Sequence, residues 1–439
     1  MKRILAGLAT AALGFAAPPP TFSGDVYPII KAKCQGCHQQ GEVAPMAFTT
    51  YQDTRPWANA IRDAVVRGAM PPWHAEAKAS VAFHNDRSLN AAEREVVIAW
   101  AASGAKEGRP IAYPAPRRND SGWKLGKPDL VFKVPGYQVP AKGDVPYTFV
   151  AFPTKLTQDT WIHAAEWRID KRSVVHHMNA FVRPPGSSYV EGYKPLEFFV
   201  PNLTQRRVGR PGEGSYERRE LLVGYEPGYA PIPWGPSQGK LIKAGSDIVL
   251  EIHFNPNGVE AIDNSELGIY FAKQTPAERV ISLSVQNMNF VIPPGDGNFR
   301  SDASVTFDTP VKIVSVQPHM HLRGKAMRIE AAVAGGGSVT KPVIDVPRYD
   351  FMWQTTYFLR DPISLPAGSR LDCAAWFDNS PNNKYNPDPK LPISWGDQSR
   401  DEMHIGFVEV AFDARVDADK VLAATSLQPV SSPAGSLRK

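Results

Sequence analysis

Over the first hundred residues apolar side chains recur every three or four positions, whereas from about residue 129 they alternate with polar ones. The early spacing predicts helices. Asp25 to Lys33 sets Val26, Ile29 and Ile30 on one face. Thr54, a candidate N-cap followed by Pro56, opens a second helix through Trp57, Ile61 and Val65 to Gly68. Asn90 can cap the amides near Glu93 in a capping-box arrangement and opens a third helix through Val96, Val97 and Trp100 to Gly104. Residues 109–128, rich in Pro, Gly and charge and without period, read as a linker. The later β-branched and aromatic runs, punctuated by Pro and Gly, predict antiparallel sandwiches. The span is long for one sandwich. The Ile292-Pro293-Pro294-Gly295-Asp296-Gly297 punctuation suggests division into 129–288 and 289–425, followed by a tail over 426–439.

At the N-terminus Lys2 and Arg3 precede the apolar run Ile4 to Ala17, too short for a bilayer span but suited to an export signal over 1–17. A periplasmic or secreted protein is expected, and no later stretch is apolar enough to cross a membrane. The 439 residues carry a net charge of +5 without a Lys/Arg cluster, which excludes nucleic acid as the expected partner. With 43% hydrophobic residues the chain can bury a core without disulfides, and it has only three cysteines.

Two of those cysteines stand in Cys34-Gln35-Gly36-Cys37-His38. C-x-x-C-H is the attachment signature of covalent haem: the thiols form thioethers and the imidazole takes one axial position on iron. A zinc reading lacks a second cysteine pair, since only Cys373 remains. Helices flanking a haem loop resemble the small class of cytochrome c domains, here over 18–108. For the distal position Met70, in Gly68-Ala69-Met70-Pro71-Pro72-Trp73, suits presentation of a thioether where a helix stops. Core packing is its other reading, and Met46 and His74 are weaker alternatives. His84 reads as a surface or capping residue.

Seven of the ten histidines lie in the β region. Alternation over Ser246 to Pro256 turns His253 away from the apolar side. In Gln317-Pro318-His319-Met320-His321-Leu322 the two histidines share a face of extended chain and can converge on one ion. Val174-Val175-His176-His177-Met178 is harder, because neighbouring strand residues face opposite sides. Both imidazoles reach one ion only at a strand end, bend or bulge; otherwise one is a ligand and the other its hydrogen-bonded partner.

His176-His177, Glu251-Ile252-His253-Phe254, His319-Met320-His321 and Asp401-Glu402-Met403 follow the order and approximate spacing of the copper type II, ascorbate-dependent monooxygenases, which this chain resembles over about residues 128–425. The resemblance implies two antiparallel jelly-roll sandwiches, each with one copper ion, facing each other across an open solvent cleft. It implies that His176, His177 and His253 hold the electron-transfer copper and that His319, His321 and Met403 hold the oxygen-binding copper. A thioether favours Cu(I), the state that meets dioxygen, so Met403 makes chemical sense there. Peptide-amidating members carry an Arg two residues before His-x-His and a Tyr four after the copper Met. Gln317 and Phe407 stand at those positions, which makes glycine-extended peptides doubtful substrates. His404 is an optional extra ligand or a packing residue, His163 a structural one, and Cys373 inert core.

The expected fold class is therefore multidomain: a small all-α cytochrome c domain followed by two all-β antiparallel jelly-roll sandwiches. The expected function is a haem- and copper-dependent monooxygenase that hydroxylates a C–H bond of a small molecule with dioxygen. It would use covalent haem c, two copper ions and an external electron donor, with no membrane span. The rival reading is a periplasmic electron-transfer or copper-binding protein without hydroxylase activity. A zinc-stabilised scaffold is disfavoured by Met403, because zinc prefers nitrogen, thiolate and carboxylate ligands.

Overall fold

Alternation decides most of the chain. In Arg370–Phe377, for example, Leu371, Cys373, Ala375 and Phe377 are buried while the intervening residues are not, as the period of two in a half-buried strand requires. The computed structural model describes residues 18–40, 42–76, 81–114, 122–201, 220–229, 231–336, 340–396 and 398–423. The expected export signal over 1–17 and the tail over 426–439 lie outside them.

Among the described residues an eight-stranded sheet runs, in spatial order, through Leu130–Lys133, Glu266–Phe271, Thr160–Arg168, Gln238–Ile242, Glu278–Asn287, His404–Asp413, Val311–His319 and Tyr357–Leu365. A four-stranded sheet of Thr148–Pro153, Asp247–Phe254, Val175–Arg183 and Glu220–Tyr225 shares a core with its first half, including Ile162, Trp167, Leu250, Ile252 and Leu267. Another, of Phe299–Thr306, Arg370–Phe377, Gly324–Ala332 and Thr340–Val346, shares a core with its second half, including Ile313, Ile329, Val408, Val410 and Phe377. The two sandwiches are thus not separate. Their halves are spliced where Gln238 and Gly239 pair in parallel with Glu278 and Arg279. The division expected at 288–289 falls after a strand that already contributes Ile281, Leu283 and Val285 to the second core. The change of core comes between Phe271 and Glu278.

The expected all-α cytochrome c domain over 18–108 is corrected. The described chain is mostly β, and its helices are few and short: Tyr27–Lys33, Tyr51–Thr54, Ala58–Val66, Ala91–Ala102 and Ala418–Ala423, with one π and one 3₁₀ turn. Pro72–Asp86, inside the expected domain, belongs to the β unit. The reason is aromatic burial. Trp73 lies edge-on to Tyr357 at 4.8 Å, Phe83 is buried against Tyr357 and bridges Leu359, and Arg360 N–H donates to the Ala82 carbonyl. This segment therefore serves as an edge of the second sandwich instead of a helical connection, taking His74 and His84 with it.

The remaining stretches, through Gln40, Ala44–Pro71 and from Arg87, form a second, smaller unit around Phe22, Val26, Ile30, Ile61, Val65, Val97 and Trp100. Its last helix starts at the expected cap: Asn90 Oδ1 accepts from Glu93 N–H and Glu93 Oε2 from Asn90 N–H, each at 2.9 Å. The middle helix starts earlier than expected. Thr50, not Thr54, is the N-cap, its hydroxyl accepting from Asp53 N–H at 3.1 Å. No described helix is long and apolar enough to cross a membrane.

At the splice, Lys240 is buried and its ammonium lies 2.9 Å from Glu409 Oε1 across the two halves, donating also to Ser282 Oγ and the Leu221 carbonyl. Lys240→Met leaves Glu409 and Glu220 without their cation and is expected to cost about 3–5 kcal/mol of stability, with partial recovery in Lys240→Met/Glu409→Gln. Urea unfolding checks this, and a loss below about 1 kcal/mol would show that the pair does not secure the splice.

Candidate metal centre

The strand Val175–Arg183 pairs regularly with Asp247–Phe254 except at one place: Val175 faces Phe254 but His177 faces His253, so one extra residue is inserted at His176. This is the irregularity that two adjacent histidines need in order to turn to one side. His176 Nδ1 lies 3.1 Å from His177 Nδ1, close to the separation of two ligands on one ion. His253 completes the group, with all three ligand atoms within 4.8 Å of one another. Buried His253 Nδ1 has no hydrogen-bond partner, and an unpaired buried polar atom beside the other two rings fits a missing ligand. Tyr147 backs the group, stacked on His253 at 4.5 Å.

Burial keeps these imidazoles neutral. It lowers His176 to about 4 and His253 to about 3, and holds His177 well below its ordinary value, where the neighbouring histidines add to the effect. Neutral rings offer lone pairs to a metal at neutral pH.

The second group sits where Val311–His319 ends. Met320 turns into the second core, and His319 and His321 turn the other way with ring centroids 5.3 Å apart. Their Nδ1 atoms are both engaged: His319 donates to Gln354 Oε1 at 2.6 Å and His321 to the Asp401 carbonyl at 3.2 Å. That fixes the tautomer and leaves each Nε2 as the available donor atom. Burial also lowers both rings, His321 to about 3.

His319 pairs with Ile405 at the end of that ladder, and half-buried Met403 lies two residues before Ile405. The other thioethers near the motifs, Met178 and Met320, are buried in the two cores. The turn itself is tied by Glu402, whose carboxylate accepts from His321 N–H at 2.9 Å and Arg323 N–H at 2.6 Å. Burial pushes the Glu402 carboxyl up to about 8, against these amides and the Arg323 guanidinium, which pull it down. Gly324 is required here, since a Cβ would lie 2.7 Å from both Met320 and Tyr349, whose hydroxyl donates to the Met320 carbonyl.

The resemblance implied an open solvent cleft between the groups. The ring of Phe351 lies 5.6 Å from that of His176 and 6.2 Å from that of His321. Beside His319 a cavity between the sandwiches is lined by Gln317, Phe407, Trp234, Tyr229, Phe358 and Glu409, with Phe407 5.8 Å from the His319 ring. His404 belongs to the core, bonded to Ser301 at 2.8 Å and 3.3 Å from the Cys373 sulfur. His163 ties two strands through the Phe271 carbonyl at 3.0 Å. Gln354, Phe351 and Tyr147 were not identifiable as site residues from sequence, because none shares a motif or a period with the histidines it touches, and Glu402 stood in the Asp401-Glu402-Met403 motif without a role of its own.

In the smaller unit neither Cys34 nor Cys37 is in a disulfide. His38 Nδ1 donates to the Met46 carbonyl at 3.2 Å, leaving Nε2 for an axial ligand, and its ring stacks on Phe48 at 4.2 Å. A Cβ on Gly36 would meet nothing within 4 Å, and Cys34 packs against the core of the smaller unit. This donor set fits a covalent haem. Met46 is committed to the His38 side by its carbonyl, whereas Met70 is half-buried just beyond Ala58–Val66.

No protein-family model matches the chain, and no curated protein matches it. Among solved structures, the infectious bursal disease virus Gx strain is similar at 11% identity over 67% of this chain and 75% of that one, with a TM-score of 0.20. PNGF-II is similar at 10% identity over 64% of this chain and 60% of that one, with a TM-score of 0.26. Scores this low carry no conclusion about fold or function.

Gln354 is the sole side-chain anchor described for the His319 ring, so Gln354→Ala is expected to weaken copper binding at His319–His321 by about 10–100-fold while leaving the His176 group unchanged. Copper titration of the metal-free protein checks this, and equal weakening of both groups would show that Gln354 acts through general stability.

Proposed function

We propose that the chain is a haem- and copper-dependent oxidoreductase: a monooxygenase that hydroxylates a C–H bond of a small molecule with dioxygen, its electrons coming from an external donor through a c-type haem at Cys34, Cys37 and His38. The observation that carries the reading is the complementary presentation of two neutral histidine groups, one converging through Nδ1 and the other with Nδ1 tied and Nε2 available. When bound, copper at His319, His321 and Met403 would supply the oxygen chemistry, and copper at His176, His177 and His253 the second electron. The order of these residues is that of the copper type II, ascorbate-dependent monooxygenases, with haem taking the place of ascorbate as reductant.

The chain's own residues do the rest. Burial keeps the five imidazoles unprotonated, and Gln354 and the Asp401 carbonyl hold the rings of His319 and His321. The thioether of Met403 biases its site toward the reduced ion. The cavity at Phe407 and Gln317 offers aromatic walls with amide and hydroxyl groups, and its one lining carboxylate, Glu409, is neutralised by Lys240. Such a lining suits an uncharged, largely apolar substrate and offers no cation to a carboxylate.

Dioxygen consumption coupled to a hydroxylated product is the expected result with reductant and a suitable substrate; two bound coppers without product would select the electron-transfer or copper-binding alternative. The Cys34→Ala/Cys37→Ala double variant is expected to lose haem staining on denaturing gels, and retained staining would refute covalent haem. Met70→Ala is expected to lower the haem potential, since loss of a thioether destabilises the ferrous form. Met403→Ile is expected to keep Cu(II) but to lose the copper–sulfur signal of the reduced protein and its turnover. A retained sulfur signal would transfer the thioether role to another methionine.

A further inference from the structure

Residues 354–358 carry two parts of the site at alternate positions. Gln354 holds the His319 ring, and its carbonyl accepts from Gln317 Nε2 at 2.9 Å, while Thr356 and Phe358 line the cavity beside His319. The sheet does not fix all of them. Backbone pairing of Tyr357–Leu365 with Val311–His319 ends where Tyr357 meets Val316, so Gln354 to Thr356 lie beyond the ladder. Two side chains hold Thr356 instead. Its N–H donates to Glu226 Oε1 at 3.0 Å, and its carbonyl accepts from Asn85 Nδ2 at 2.7 Å. Asn85 Oδ1 in turn accepts from Phe358 N–H at 3.2 Å. Asn85 follows directly on the outer pairing of this edge strand, in which His84 N–H donates to the Phe358 carbonyl at 2.8 Å and Phe83 bridges Leu359. Its single amide thus extends that pairing past His84, with the donor on one residue and the acceptor on the next but one. A side-chain amide offers both in one plane, which a carboxylate does not.

We propose that Asn85 is a positioning residue of the His319–His321 site. By clasping Thr356 and Phe358 it fixes the backbone from which Gln354 reaches His319, and with it the wall that Thr356 and Phe358 give the cavity. The inference rests on the copper reading above and deepens it. Thr356 and Gln354 are two residues apart, about 7 Å of extended chain, with no ladder bond described between them to absorb a shift at the clasp. The anchor of a metal-bound imidazole is only as fixed as its own backbone. Asn85 bonds no histidine of either group, so its loss changes the orientation of His319 without removing a donor atom.

The test uses the full haem-containing chain, first free of copper and then titrated with Cu(II). Without copper, hydrogen–deuterium exchange in peptides covering 354–358 is expected to quicken in Asn85→Ala, because Phe358 N–H loses its acceptor. With copper, binding at His319–His321 is expected to weaken about tenfold and the paramagnetic resonance spectrum of that ion to change, as when an outer partner of a metal-bound histidine is lost. The His176 group is expected to be unchanged. His253→Ala and His321→Ala backgrounds report the two groups separately. Asn85→Asp keeps the acceptor but not the donor and is expected to fall between Asn85→Ala and the parent. Phe83→Leu weakens the packing beside the clasp and leaves the clasp itself, so a lower unfolding temperature with unchanged copper affinity is expected. Faster exchange with unchanged copper affinity and spectrum would overturn the positioning role and leave the copper reading intact. Equal weakening at both groups, or the same weakening in Phe83→Leu, would show an effect of general stability and overturn the role as well. A parent chain that binds no copper at His319–His321 would overturn both.

Discussion

The parallel contact of Gln238 and Gly239 with Glu278 and Arg279 makes one sheet out of two, and the placement of the histidines follows from it. Strands on either side of that contact belong to different cores, so the pairing cannot slip without moving one sandwich against the other. Lys240 stands at the contact and takes Glu409 from the far half as its partner in a buried, multiply hydrogen-bonded site. Such a pair adds little net stability over an apolar substitute, but removal of one member leaves a charge without compensation. It therefore acts chiefly on which arrangement of the halves is allowed.

Given that arrangement, the face of the second half-sheet presents a row of cross-strand positions in order: Ser315 with Glu409, Gln317 with Phe407, His319 with Ile405. Polar groups at the Lys240 end, an apolar cavity in the middle and imidazoles at the other end thus lie along one line. The histidine end is kept dry by burial, the condition under which imidazoles stay neutral and electrostatic effects are strong. The inserted residue at His176 lets His176 and His177 turn to one side in the first sandwich.

Several of these features could be read from single stretches of sequence. The alternation around His253 and His319-x-His321, the capping box at Asn90, and the need for a bulge at His176-His177 are all local, depending only on strand or helix period and side-chain reach. The fate of Pro72–Asp86 could not be read in this way. Trp73 and Phe83 are apolar on either assignment, and only the presence of Tyr357 and Leu359 on an open sheet edge made the β unit their better place of burial. An all-α domain over 18–108 was expected because the periodic segments on either side of this stretch are helical.

Sequence by itself determined which residues carry donor atoms and on which side of a strand each one points, because those follow from chemistry and a period of two. Tertiary structure alone decided that the Phe351 ring lies against both His176 and His321 and that Gln354 and Asp401 select Nε2 of His319 and His321. These depend on contacts between residues far apart in the chain, where neither spacing nor periodicity holds information. The register between strands and the packing of loops against them is what brings such residues together.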